Sequence, residues 1–178
     1  MTNPSVLVVL TCAALAVASS ARAQDDGRQE QSRSGIEITP YVSLGSAAAS
    51  GVGTAVVLPL GSRLSLELET ALRRAEMNAL NCNVSVLVDL PSVGRAIPYV
   101  VGGIGLEQYA TAIGSLGGGL VVQARTAFTL NAGGGLRIPV DEHWGVRADA
   151  RWFNGVGRDA PERWRVYNGV TFGVPGRR

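Results

Sequence analysis

Between Gly35 and Val174 the chain alternates polar and apolar residues with a period of two, in eight successive segments. They cover 35–44, 51–60, 63–74, 79–90, 96–109, 126–138, 143–153 and 163–174. In 63–73 (RLSLELETALR), Leu64, Leu66, Leu68, Thr70 and Leu72 share one parity, and Arg63, Ser65, Glu67, Glu69, Ala71 and Arg73 share the other. A helix would scatter those leucines around its circumference. A strand collects them on one face.

Turn-forming residues punctuate the segments. Short turns are predicted at 60–63 (LGSR), 90–96 (LPSVGRA) and 139–142 (PVDE), each with Pro or Gly near its start or centre. Looser links fall at 45–50, 74–79, 110–125 and 154–162. Short turns at one end and longer loops at the other is the layout of an outer-membrane barrel. The average of about 17 residues per strand and link accommodates the roughly 9–11 residues of a tilted spanning strand. The link 110–125 is oddly apolar, with Leu116, Leu120, Val121 and Val122, and is expected to extend its flanking strands. The predicted fold is all-β: an antiparallel, eight-stranded, up-and-down transmembrane β-barrel over 35–174.

The segment HWGVRADARW, 143–152, indicates which face turns outward. Trp144, Val146, Ala148, Ala150 and Trp152 oppose Gly145, Arg147, Asp149 and Arg151. The two tryptophans are separated by about 26 Å of strand. A tilt of about 40° reduces this to roughly 20 Å, close to an apolar band bounded by aromatic girdles. Trp144, Trp152 and Trp164 are therefore expected at membrane interfaces, where an apolar ring with a polar N–H is favoured. The opposite parity collects Glu37, Glu67, Glu69, Asp89, Glu107, Arg137, Arg147, Asp149, Arg151 and Arg165 in the interior. Isolated buried charges are costly, so these should pair or keep water. Eight strands leave room for little beyond side chains, which favours a plug over an open pore. Asn168 falls on the outward parity, and a bulge or register change is expected there.

The remaining residues frame this unit. Residues 1–23 read as a signal peptide, with an apolar run at 6–17 and an Ala21-Arg22-Ala23 cleavage pattern. Residues 24–34 form a polar leader and 175–178 a short tail. All 16 basic residues are Arg, and loss of Arg22 leaves 15 against 14 acids. That near balance gives no electrostatic case for nucleic acid. Cys82 alone remains after cleavage, so an internal disulfide is excluded.

The segments PYVSLG (40–45), IPYVVGGIGLE (97–107), NAGGGLRIPVDEHWGVRADARWF (131–153) and YNGVTFGV (167–174) resemble the small eight-stranded outer-membrane β-barrel proteins, the OmpA-like β-barrel domain family. The resemblance covers 35–174. It implies an outer-membrane protein with a structural, binding or limited-permeability role, assembled by the barrel-assembly machinery among outer-membrane lipids and lipopolysaccharide. Catalysis is not expected. His143 beside Asp141 and Glu142 reads as a solvated turn, since one His with no Cys partner makes no closed zinc site. The clusters at 102–105, 117–119 and 133–135 open no helix, so they are not phosphate loops. Glycine there allows curvature and close packing. No cofactor is implied. Cys82 reads as a small outward hydrophobe, and Arg73-Arg74 as a solvated pair in an outer loop. Two alternatives stand beside this reading: a secreted lipocalin-like barrel with an apolar ligand inside, and an outer-leaflet lipid hydrolase.

Overall fold

In a computed structural model, residues 35–46, 50–74, 78–116, 119–141, 143–156 and 163–174 are described. The signal peptide, leader and tail read from the sequence lie outside them. Eight strands run in chain order: β1 (Ile36–Gly45), β2 (Ser50–Pro59), β3 (Leu64–Arg74), β4 (Asn78–Asp89), β5 (Ile97–Leu116), β6 (Gly119–Pro139), β7 (Trp144–Val156) and β8 (Arg163–Val174). Each pairs antiparallel with the next, and β8 returns to β1 to close the barrel. Closure removes the unpaired strand edges that an open sheet would leave.

One end, here the near end, holds the first and last strand residues, Ile36 and Val174, which pair. It also carries the turns at 60–63, 90–96 and 140–143. In the 90–96 connection Val93 and Ala96 exchange backbone hydrogen bonds around Gly94, whose φ of 61° suits glycine. At the far end the connections are as short as the near turns, covering 46–49, 75–77, 117–118 and 157–162. Of the looser links expected there, 110–125 is almost entirely strand, as expected from its apolar residues, while the others keep connections at 46–49, 75–77 and 157–162. Pairing satisfies backbone donors and acceptors that a loose link would leave to solvent. The 110–125 stretch shows this best: β5 and β6 run for 20 and 21 residues. Their register shifts once, between Ala112 and Gly114.

Asn168 departs from expectation. It sits opposite Val42 on β1 and Ala148 on β7 in an unbroken register, with no bulge. A one-residue slip would have carried buried Arg165, Tyr167 and Thr171 to the outer face, so the register holds and the amide is left outside.

The two faces divide sharply. Glu67 and Glu107 have 0% exposure, whereas Leu44 and Leu72 are 65% and 63% exposed. Val52, Val84, Ile104, Leu130, Val146, Val166 and Phe172 join the outer apolar surface from other strands. A chain facing water on all sides rarely exposes so continuous an apolar area.

Inside, glycine makes room for rings. A Cβ on Gly135 would lie 2.5 Å from the Tyr99 hydroxyl, and one on Gly53 2.5 Å from that of Tyr41. Gly135→Ala is expected to cost about 1–3 kcal/mol through overpacking. Urea unfolding of the refolded barrel would measure it, and an unchanged midpoint would contradict the packing.

Candidate functional site

The barrel interior is a column of charged and aromatic side chains, positioned by alternate residues of all the strands except β2. Six carboxylates (Glu37, Glu67, Glu69, Asp89, Glu107, Asp149) meet six guanidinium groups (Arg73, Arg137, Arg147, Arg151, Arg163, Arg165) among the described residues. The formal charges cancel over the whole column, but not level by level.

At the near end Arg137 reaches Glu37 at 3.1 Å and also pairs with Asp89. The Tyr99 ring lies above, between Arg137 and Arg147, with centroid distances of 5.1 and 5.0 Å. A guanidinium over an aromatic face gains from the ring quadrupole. Tyr99 also donates its hydroxyl to Asp149 at 2.6 Å and accepts from Arg147 Nε at 2.7 Å.

The middle is organised by β7. Arg147, Asp149 and Arg151 are successive inward residues, and Asp149 Oδ2 lies 2.8 Å from Arg147 and 3.0 Å from Arg151. Both arginines reach β3: Arg147 contacts Glu67 at 2.5 Å, and Arg151 contacts Glu67 and Glu69 at 2.7 and 3.1 Å. The Glu67 oxygens meet these charges without aligned hydrogen bonds, so attraction rather than N–H direction holds them. Tyr41 and Tyr167 both donate to Glu69 Oε1, at 2.8 and 3.3 Å. Their rings meet edge to face at 4.9 Å. A cavity of about 10 Å³ lies among Thr39, Tyr41, Arg147, Asp149, Arg151 and Tyr167. That is room for a single water.

Toward the far end three arginines converge on one carboxylate. Arg73 and Arg163 each reach Glu107 at 2.5 Å, and Arg165 reaches it at 3.2 Å. Arg165 stacks over Phe153 at 3.9 Å, and Arg163 over Tyr109 at 5.5 Å. Arg73 therefore does not belong to a solvated loop pair. It is the penultimate residue of β3, facing inward and buried because strand alternation continues through it, while Arg74 is exposed. Arg163 is the other buried charged residue, among those described, that parity reasoning left out of the interior set, although it continues the inward parity of β8.

The aromatic residues divide between the ends. Trp144 lies at the start of β7, opposite Phe172, near the turn end. Trp152 and Trp164 pair across β7 and β8 toward the far end, edge to face at 4.9 Å. Cys82 faces outward, its sulfur 3.8 Å from the Thr70 hydroxyl.

His143 sits exposed in the β6–β7 turn. The Asp141 carboxylate accepts the backbone N–H groups of His143 and Trp144 at 2.7 and 2.9 Å, which ties it to the turn. Among the described residues no three His, Cys, Asp or Glu side chains gather as a metal site.

Two outcomes test this geometry. Asp149→Asn leaves Arg147 and Arg151 short of a counter-charge and is expected to destabilise the barrel by about 3–5 kcal/mol, read by urea unfolding. A change below about 1 kcal/mol would show that the column carries little of the stability. At the turn, the hydrogen bond from the His143 N–H comes first among the causes that lower the Asp141 pKa. A depressed folded pKa means the contribution is complete above the ordinary aspartate value and is lost as pH falls through the lower, folded one. The protection of the His143 amide, measured against intrinsic exchange at the same pH, should therefore be lost only below the ordinary aspartate range. Loss of protection near neutral pH would contradict the turn geometry.

No protein-family model and no curated protein sequence matches the chain. Solved structures do. The N-terminal β-barrel domain of Pseudomonas aeruginosa OprF superposes with a TM-score of 0.68 at 18% identity, over 81% of this chain and 100% of that one. Neisserial surface protein A gives 0.63 at 12% identity, over 79% and 96%. The attachment invasion locus protein Ail of Yersinia pestis gives 0.56 at 13% identity, over 79% and 97%. At such identities the likeness speaks for the fold alone. The chain has the fold of the small eight-stranded outer-membrane β-barrels.

Proposed function

We propose that this protein is an integral outer-membrane barrel with a structural or surface-binding role, closed to bulk flow by its own interior and without catalytic activity. The carrying observation is the inversion of polarity: an apolar exterior on all eight strands around a charged, ion-paired interior. A lipocalin-like barrel would need the reverse, an apolar cavity within and polar side chains outside. The tryptophans at the two ends support the orientation, with Trp144 at one interface and Trp152 and Trp164 at the other. The near end, with its three turns, faces the periplasm in this reading. The far end faces outward among lipopolysaccharide. Residues 1–23 direct export and are then cleaved, and the barrel-assembly machinery inserts the rest. The solvated His143 turn and the occupied Asp141 carboxylate favour a non-catalytic role over the outer-leaflet hydrolase.

Gel mobility of the membrane fraction provides the test. The protein is expected in outer membranes and to migrate differently before and after boiling, as the folded barrel resists detergent until heated. Recovery in the soluble periplasm would overturn the reading. In planar bilayers the purified protein should give no sustained open-channel current, because Arg151, Tyr99, Phe153 and Arg165 fill the bore. Lipid A from expressing cells should keep its mass.

A further inference from the structure

Asn168 holds a polar amide at a depth where lipid offers no hydrogen bond. It lies opposite Ala148 on β7 and Val42 on β1, on the outward face and exposed. On β7 and β8, Trp144 pairs with Phe172 at the near girdle and Trp152 with Trp164 at the far one. Phe172 and Trp164 are each four residues from Asn168, which therefore sits midway between the girdles. About 13 Å of strand separates it from either. At a tilt of about 40° that leaves roughly 10 Å of hydrocarbon in both directions. So short a side chain cannot reach an interface, as the long stem of an arginine would allow.

The neighbours cannot satisfy this amide. Val42 and Ala148 flank it across the sheet, and Val166 and Val170 share its face along β8. The diagonal positions on β1 and β7 are aliphatic or proline. None of these side chains forms hydrogen bonds. Thr54 and Thr70, also outward, are placed differently: they lie opposite each other, and Thr70 has the Cys82 sulfur at 3.8 Å. The backbone beside Asn168 is short of a donor too. Pro40 has no N–H to give to β8, and the β1–β8 pairing lapses between Ile38–Phe172 and Tyr41–Gly169. A polar group left unpaired in hydrocarbon is costly. The surface beside it is low: Ala148 and Ala150 follow on β7, with Gly134 opposite Ala150 on β6. Small residues let one membrane-spanning element press closely against another.

We propose that the face made by β7, β8 and β1, centred on Asn168, joins two copies of this barrel within the membrane. Two barrels inserted the same way can be related by a two-fold axis along the membrane normal, which brings their Asn168 side chains together at equal depth. An amide carries both donors and an acceptor, so the pair satisfies itself by exchanging two hydrogen bonds. A different partner would need its own polar group at the bilayer midplane, where such groups are rare. This surface presupposes the outer-membrane reading. A barrel that stays monomeric would leave that reading standing, whereas recovery in the soluble periplasm would remove both.

Energy transfer between labelled copies in phosphatidylcholine vesicles tests the contact. The chain has no lysine, so an amine-reactive dye marks its α-amino group alone. Heat-modifiable mobility of every preparation separates a failure to form the barrel from a failure to associate. Transfer should fall as lipid dilutes the protein and rise linearly with the acceptor fraction, as a dimer requires. Asn168→Leu should raise the dissociation constant about tenfold, the scale of hydrogen bonding between membrane-embedded side chains. Asn168→Gln keeps an amide and should recover most of that loss. Ala148→Phe should separate the copies by bulk while the amide stays intact. Val84→Phe, on β4 across the barrel, should change nothing. Transfer no greater than chance proximity gives at the same protein density would overturn the proposal. So would a dimer equally strong in Asn168→Leu, which would place the contact on another face.

Discussion

Charge buried in a narrow bore must find its counter-charge inside the same bore, and the architecture of this barrel follows from that requirement. Arg147 and Arg151 cannot be solvated where they lie, so each is met by carboxylates from β3 and by Asp149 between them on β7. The tyrosines extend the same logic. Tyr99, Tyr41 and Tyr167 supply hydroxyls to the carboxylates, and the rings of Tyr99 and Tyr167 lie under guanidiniums. Removing any one member leaves its partners exposed to the full cost of burial. The column is consequently a cooperative unit rather than a set of separate pairs.

This interior also explains the pattern of small residues around it. Long arginines and tyrosines fill the bore only if facing positions carry almost nothing. Gly53 and Gly135 sit where a single extra carbon would strike a tyrosine hydroxyl. In the glycine clusters of β5 and β6, Gly135 answers a tyrosine in this way, whereas Gly103 and Gly105 let β5 lie close against Ser85, Asn83 and the backbone of β4. Outside, the chain can afford ordinary aliphatic residues, since nothing rigid packs against them. Even Asn168 is accommodated there without disturbing the register.

The alternation in 63–73 and 143–153 was sufficient to read strands and to separate two faces, because period two converts sequence position directly into direction. The number of strands followed from the spacing of turn residues. Other features were not legible. Arg73 shares the parity of Glu67 and Glu69 but also stands next to Arg74 and reads as part of a charged loop; the continuation of β3 pairing through Arg73 decides for the interior. Asn168 looked like a register error because a polar residue on an apolar parity has two explanations, and sequence alone does not choose. Which carboxylate meets which guanidinium was also hidden. Pairs such as Arg151 with Glu69, and Arg163 with Glu107, depend on strand stagger and tilt, which no local pattern encodes. The three-to-one crowding at Glu107 emerges only when β3, β5 and β8 are brought together.

The pairing of Glu37 with Arg137, and of Thr39 with Thr171, joins the first strand to partners 100 and 132 residues away. None of these contacts exists until β1 and β8 meet. Before that moment an assembling sheet carries its charged face open to solvent or to a helper protein, with the arginines of β7 and β8 still hydrated. Closing the last seam dehydrates them together, and the counter-charges must already be in register when it happens. The barrel therefore gains much of its stability in one late step, and a chain with a single strand out of register would stall as an open sheet. Contacts so distant in sequence slow folding. The interior that closes the bore is in this sense also a proofreading device for the barrel's own assembly.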